Sequence, residues 1–324
     1  MRRIIGDAGA VYHCISRVVD RQMVLGDVEK EKFRALMRKV EGFSGVRVLT
    51  YAVLSNHFHI LVQVPERKDL SDEALLRRLG YLYSSEYVLE VKRQLEGYRS
   101  GGKEASAERL REKYLYRMYD LSEFMKTLKQ RFTQWFNWSR ERRGTLWEER
   151  FKSVLVQHKG GALRTMAAYI DLNAVRAGLV EDPKDYRYCG YAEAVAGQRS
   201  SRRGLGEVLG QSEWRRTSRA YRQMLYVRGE KTEKRHGISP GKVRQVVEEG
   251  GKLSRQELMQ CRVRYFTDGV VIGTRGFVEE VFAKHRNQFG HKRKTGARPM
   301  KYGDWEGLCT MRDLRKQVIK TSQL

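Results

Sequence analysis

The chain has 324 residues, with 64 Lys and Arg against 39 Asp and Glu, for a formal charge of +25 and a pI near 10.0. That excess predicts attraction to polyanions with strong salt dependence, and an aromatic content of 10% excludes a purely disordered basic tail. Four widely spaced cysteines (Cys14, Cys189, Cys261, Cys309) exclude a zinc ribbon and a disulfide framework, and no apolar run or signal-type core suits a bilayer.

The alternation over 11–18 predicts a first strand. Asp27 can cap a helix to about Val40, with Phe33, Leu36, Met37 and Val40 at helical spacing and Gly42 and Gly45 as terminators. Residues 46–54 and 57–64 read as two strands of a hairpin turning at Ser55-Asn56. From about 67 to 119 the chain is charged and helix-prone, with a polar break at 100–103. This predicts a helical hairpin inserted into the first domain. Leu121 to Arg140 is an amphipathic helix with Leu121, Phe124, Met125, Leu128, Phe132, Trp135 and Phe136 on one stripe. Its polar side carries Lys126, Lys129, Gln130 and Arg131, which can follow a phosphate backbone.

A turn at 144–150 leads to a strand at 151–157, and 163–175 repeats apolar residues at helical spacing, with Gly178 as terminator. The first domain is expected to span 1–198, followed by a linker at 199–204. Residues 205–324 are expected to form a basic, mostly helical accessory DNA-binding module. Helical patterns lie at 213–227, 240–249, 254–263 and 275–284, followed by a basic stretch at 291–298. All the candidate chemistry precedes the linker, so this module is not expected to complete the active site.

His57-Phe-His59 opens the second strand of the hairpin. Successive strand side chains point to opposite faces, so the two imidazoles share one face and make a ready pair of metal ligands. Two solvated polar residues on an edge strand would look the same. Further along, Tyr169, Asn173 and Arg176 sit four and seven residues apart, which aligns a phenol, an amide and a guanidinium on one polar helix face. An amide oxygen can complete a metal site, a phenol can act as an assisted nucleophile, and a guanidinium can hold a phosphate. Each also has an ordinary structural explanation, such as an Arg complementing a helix C-terminus.

Together the three segments carry a resemblance. Leu54-Ser-Asn-His57-Phe-His59-Ile-Leu-Val, then Gly144-Thr-Leu-Trp147-Glu-x-Arg150-Phe-Lys152-Ser, then Tyr169-Ile-x-Leu-Asn173-x-Val-Arg176-Ala-Gly178-Leu-Val resembles the REP-associated tyrosine transposases. These are single-tyrosine His-hydrophobe-His (HUH) transposases and nucleases, and the likeness covers about residues 5–195. It implies an α+β fold, a ferredoxin-like antiparallel sheet with packed helices. It further implies Mg²⁺ or Mn²⁺ held by His57 and His59 with Asn173 as a third ligand, and Tyr169 as the nucleophile. The substrate implied is single-stranded or hairpin DNA, cleaved and rejoined through a 5′-phosphotyrosine. Arg176, Lys126, Lys129, Arg150 and Lys152 are the expected phosphate contacts, and the location expected is the bacterial cytoplasm, at the nucleoid.

Two positions depart from the family pattern. Ala174 stands where the family usually has Pro and should let the helix run on. Asp171 stands where a His or Tyr is frequent; at about 200° around the helix from Tyr169 it is not expected at the ion. Two other readings share the motifs: a DNA-binding regulator of repeats that does not cut, and an RNA-processing hydrolase using the histidine pair alone.

Overall fold

The computed structural model of the protein describes residues 9–225, 262–301, 305–311 and 319–320. The helix expected at 240–249, most of that at 254–263, and Cys261 lie outside the described residues. Contacts divide the chain into two units. One comprises Met1–Gln22, Val48–Gln63 and Trp147–Leu324, and the other Met23–Arg47 and Val64–Leu146.

The first unit is built on the β-branched and aromatic runs noted above, which form β1 (Val11–Arg17), β2 (Arg47–Val53), β3 (His57–Gln63) and β4 (Lys152–Val156). The Ser55-Asn56 turn closes with Leu54 N–H donating to the His57 carbonyl at 2.8 Å. These strands lie in the order β2-β3-β1-β4, with β1 antiparallel to both neighbours. Set against chain order, that is the ferredoxin-like arrangement, and the α+β class read from the sequence holds.

The C-terminal part adds strands as well as helices. Past β5 (Arg262–Val263), β6 (Val271–Gly273) pairs in parallel with β4, and β7 (Arg298–Pro299) and β8 (Cys309–Thr310) extend the sheet to seven strands. The cause is the open edge of β4. The N–H groups of Leu155 and Gln157 need acceptors, and they find the Val270 and Ile272 carbonyls, each at 2.9 Å. β5 pairs instead with β9 (Ile319–Lys320) in a separate ladder.

The expected linker at 199–204 is the first half of a helix, Arg199–Leu209. Its charge does not oppose this: Arg199 and Arg203 face water, while Arg202 donates to the Ala194 carbonyl at 2.9 Å and lies over the Trp214 ring. Gly204 is there for space, since a Cβ would come within 2.4 Å of the Leu49 carbonyl oxygen. The compact units therefore do not part at residue 198.

The second unit is helical: α1 (Asp27–Ser44), α2 (Asp72–Leu79), α3 (Ser85–Ser100), α4 (Glu104–Leu115) and α5 (Leu121–Ser139). The insertion holds three helices where a hairpin of two was expected. Ser71 and Ser84 start the first two by accepting from the N–H groups of Ala74 and Tyr87. Their apolar faces bury Leu75, Leu79, Val91, Leu95, Ala107 and Tyr114 with Phe43 of α1. Gly42 does not end α1 but lies inside it, where a Cβ would meet the Tyr81 ring at 2.6 Å; Gly45, at φ +74°, is the terminator. α5 buries Leu121, Phe124, Met125, Leu128, Phe132 and Phe136 of its stripe and packs on α1 through the Phe33–Phe132 contact.

No described helix is long and apolar enough to cross a membrane. Cys14, Cys189 and Cys309 are buried thiols.

Candidate active site

Residues directly opposed in an antiparallel pair share a face of the sheet. The register Arg17↔His57, Ile15↔His59 and His13↔Leu61 puts His13, Arg17, His57 and His59 on one face. The pairing Ile15↔Lys152 adds Lys152 to it. Phe58 points the other way and meets the Trp147 ring at 5.3 Å, so the Gly144–Arg150 turn secures the back of the histidine strand.

Over the histidine face lies α6 (Gly161–Asp171), which contacts β3, β4 and β6. Its Tyr169 ring centroid is 6.2 Å from that of His59 and 6.3 Å from that of His13, while His57 and His59 are 5.1 Å apart. Tyr169 is 1% exposed, so the expected alignment of Tyr169, Asn173 and Arg176 on a polar face is replaced by burial of the first two. The helix does not run on through Ala174. It breaks at Leu172, where ψ is 3°, and resumes as the short α7 (Asn173–Arg176). The break turns Arg176 back over Tyr169, with Cζ 3.9 Å from the ring centroid and Nη2 donating to the Tyr169 carbonyl at 2.8 Å.

Asp171 is directed elsewhere, as its angle on the helix predicts. It accepts from the Thr50 hydroxyl at 2.8 Å, the Tyr191 N–H at 3.1 Å and the Tyr221 hydroxyl at 2.5 Å. Burial outweighs these bonds and raises its pKa to about 6.

Two participants escaped the sequence reading. His13 is wholly buried, with Nδ1 2.8 Å from the Phe266 carbonyl oxygen and Nε2 2.8 Å from His59 Nδ1. Phe266 belongs to a short helix, Tyr265–Asp268, and its ring lies 4.5 Å from that of Tyr169. The C-terminal part therefore closes over the tyrosine, contrary to the expectation that it stays clear of the active site. The alternation of β1 already placed His13 and Arg17 on one face; nothing in the sequence marked Phe266.

Burial pushes His13 down to about 3 and His59 well below the usual imidazole range, the latter helped by His13, His57, Arg176 and Arg17. Both are neutral near pH 7, the form that donates a lone pair to a metal. Among the described residues no group of three His, Cys, Asp or Glu is placed to hold an ion. A site here would therefore draw on two imidazoles and an amide. Asn173 is chemically suited: its amide nitrogen is buried with no hydrogen-bond partner, and with the amide turned over its oxygen would be available to a cation.

Of the expected phosphate contacts, Arg150 is exposed, and Lys152 pairs with Glu149 at 3.0 Å. Arg176 is engaged with Tyr169, as above. Lys126, exposed and 3.1 Å from Glu123, and Lys129 belong to the helical unit.

Residues 8–96 match the family model described as "Transposase IS200 like". The match takes in His13, His57 and His59 and ends before Tyr169. None of the curated proteins matches the chain. A solved structure described as a REP-associated tyrosine transposase bound to a REP hairpin is 17% identical, with a TM-score of 0.39, covering 61% of this chain and 85% of that one.

Proposed function

We propose that this chain, whose residues 8–96 match the IS200-like transposase model, cleaves and rejoins single-stranded, hairpin-forming DNA through a tyrosine–DNA intermediate. The observation that carries this reading is Tyr169 packed against two sheet histidines, on a face that also bears Arg17 and Lys152. A regulator that only bound DNA would need no such grouping of phenol and imidazoles.

In this reading Arg17 and Lys152 draw a phosphate to the histidine face. His57, His59 and Asn173 would hold Mg²⁺ or Mn²⁺, hard ions suited to mixed nitrogen and oxygen donors with water completing the shell. When bound, the ion supplies Lewis-acid stabilisation of charge on the phosphate oxygens. Tyr169 Oη forms a bond to phosphorus as the P–O3′ bond breaks. The phenolic proton passes to solvent and the departing O3′ takes one up, leaving a 5′-phosphotyrosine and a free 3′-hydroxyl. No phosphoester is lost in the exchange, so the 3′-hydroxyl of another strand can run the step in reverse and join DNA without ATP. Arg176 orients the phenol through its ring face and the Tyr169 carbonyl, and Phe266 shields it from water until DNA enters.

The test is incubation of the whole chain with end-labelled single-stranded hairpins and Mn²⁺, read on a denaturing gel for a covalent adduct. An adduct of protein with the 5′ end of the cleaved product supports the reading. Tight hairpin binding with no adduct in Mn²⁺ or Mg²⁺ would favour the repeat-binding regulator instead.

A further inference from the structure

The hydrogen bonds behind the two histidines determine which nitrogen of each ring carries its proton. A backbone carbonyl can only accept, so His13 Nδ1, 2.8 Å from the Phe266 oxygen, must hold a hydrogen. A neutral imidazole carries one proton, so His13 Nε2 presents a lone pair. The atom facing that lone pair at 2.8 Å is His59 Nδ1, which must therefore donate. His59 is left with its lone pair on Nε2.

On His57 the same result is reached by a different device. The Asn56 amide nitrogen donates to the Arg21 carbonyl at 3.1 Å, which fixes the amide's orientation. The amide oxygen then faces His57 Nδ1 at 2.6 Å and draws the proton there. Both histidines of the pair thus take the Nδ1–H form.

Resting on the metal reading above, we propose that His13 is a positioning residue that transmits the polarity of the Phe266 carbonyl to His59, holding His59 in the tautomer whose Nε2 can bind a metal ion. The relay is directional. Reversed, His13 would donate to His59 Nδ1, the His59 proton would move to Nε2, and that nitrogen could not coordinate. The carbonyl at the far end opposes the reversal. A peptide carbonyl serves well here because it has no donor form and cannot turn over as an amide side chain can. The source of that polarity lies 253 residues along the chain from His13, so the helix carrying Phe266 would act on a metal site through a main-chain atom. The His13 and His59 rings, 5.0 Å apart between centroids and 19° between planes, lie nearly coplanar and edge to edge, as an in-plane N–H···N bond requires.

Outer partners of metal-bound histidines typically govern about 10–100-fold in metal affinity. Two measurements on the full chain test the relay. In the metal-free protein labelled with ¹⁵N-histidine, long-range ¹H–¹⁵N spectra report the protonated nitrogen of each ring. His13 and His59 are expected as Nδ1–H, and a His59 found as Nε2–H overturns the proposal. Mn²⁺ titrations followed by electron paramagnetic resonance then compare the wild type with His13→Leu and His13→Gln. Leu offers no acceptor and is expected to weaken Mn²⁺ by about tenfold or more. Gln, with an amide oxygen for His59 and an NH₂ for the carbonyl, is expected to recover most of the loss. A folded His13→Leu protein that binds Mn²⁺ like the wild type overturns the proposal. If that variant does not fold, the wild-type spectrum alone decides. A wild type showing both Nδ1–H rings but no affinity for Mn²⁺ sinks the metal reading while the relay stands.

Discussion

Tyr169→Phe removes the one oxygen proposed to attack phosphorus and few of the groups that would bind DNA. Adduct formation should fall on the order of 10³-fold or more while hairpin affinity holds. An undiminished adduct would put the nucleophile elsewhere, though not readily on Tyr186, whose hydroxyl is bonded to the Val53 carbonyl at 2.7 Å. His57→Ala or His59→Ala should abolish the adduct, as should EDTA. Asn173→Ala should cost only about tenfold, because water can take one place around a six-coordinate ion. Full cleavage in excess EDTA would remove the ion from the scheme. His57, His59 and Tyr169 could be read in the sequence because each sits in a short pattern whose spacing has a geometric meaning. His13 was missed because strand alternation puts it on a face with Arg17 but gives it no second histidine at a ligand-like spacing. Phe266 was beyond reach for a deeper reason: its contribution to His13 is a carbonyl, which every residue has.

At the scale of elements, α6 is held in place by its last residue. Asp171 ties it to Thr50 on β2, to Tyr191 and to Tyr221. Since burial raises the Asp171 pKa to about 6, its contribution to stability is complete below the unfolded value near 4 and is lost as pH rises through 6. The difference in unfolding free energy between wild type and Asp171→Asn should therefore fall by about 2–3 kcal/mol from pH 4 to pH 7. Urea melts of both proteins across that range measure it, and a difference flat with pH would show the carboxylate to be unperturbed. Strands β1–β4 and helices α1 and α5 followed from periodicity, α5 most plainly, whereas β5–β9 did not. The break at Leu172 had no proline or glycine to announce it. The helix at Arg199–Leu209 was mistaken for a linker because its basic run was read as solvated chain, whereas Gly204 gives its other side a close fit to β2.

For the molecule as a whole, the prediction from composition concerns the polyanion. With a charge of +25 the chain should bind hairpin DNA with an affinity that falls steeply with salt. Reading 205–324 as an accessory module implies that cutting the chain after Gln198 spares cleavage. The structure points to a different outcome. Such a cut strips β6 from β4, the Tyr221 hydroxyl from Asp171, and the Phe266 carbonyl from His13. The shortened protein should lose cooperative unfolding in urea, and with it the adduct; a sharp, wild-type-like transition would restore the C-terminal part to an accessory role. Long-range pairing of this kind has no local signature, which is why the composition of 205–324 suggested a separate module.

The separation between His13 and Phe266 also sets a clock. At roughly 5–20 residues per second, a ribosome needs on the order of 10–50 s to pass from one to the other. For the later part of that interval the histidine strand (His57–Gln63) has been made, yet the carbonyl that aligns it does not exist. In the proposed scheme a nascent chain lacks both the relay and the β6 pairing of β4 until late in its own synthesis, so adduct formation would rise only as Phe266 and β6 emerge. Stalled chains make this visible: those with 225 residues outside the ribosome should form no adduct with a hairpin, and those with 311 should form it in Mn²⁺.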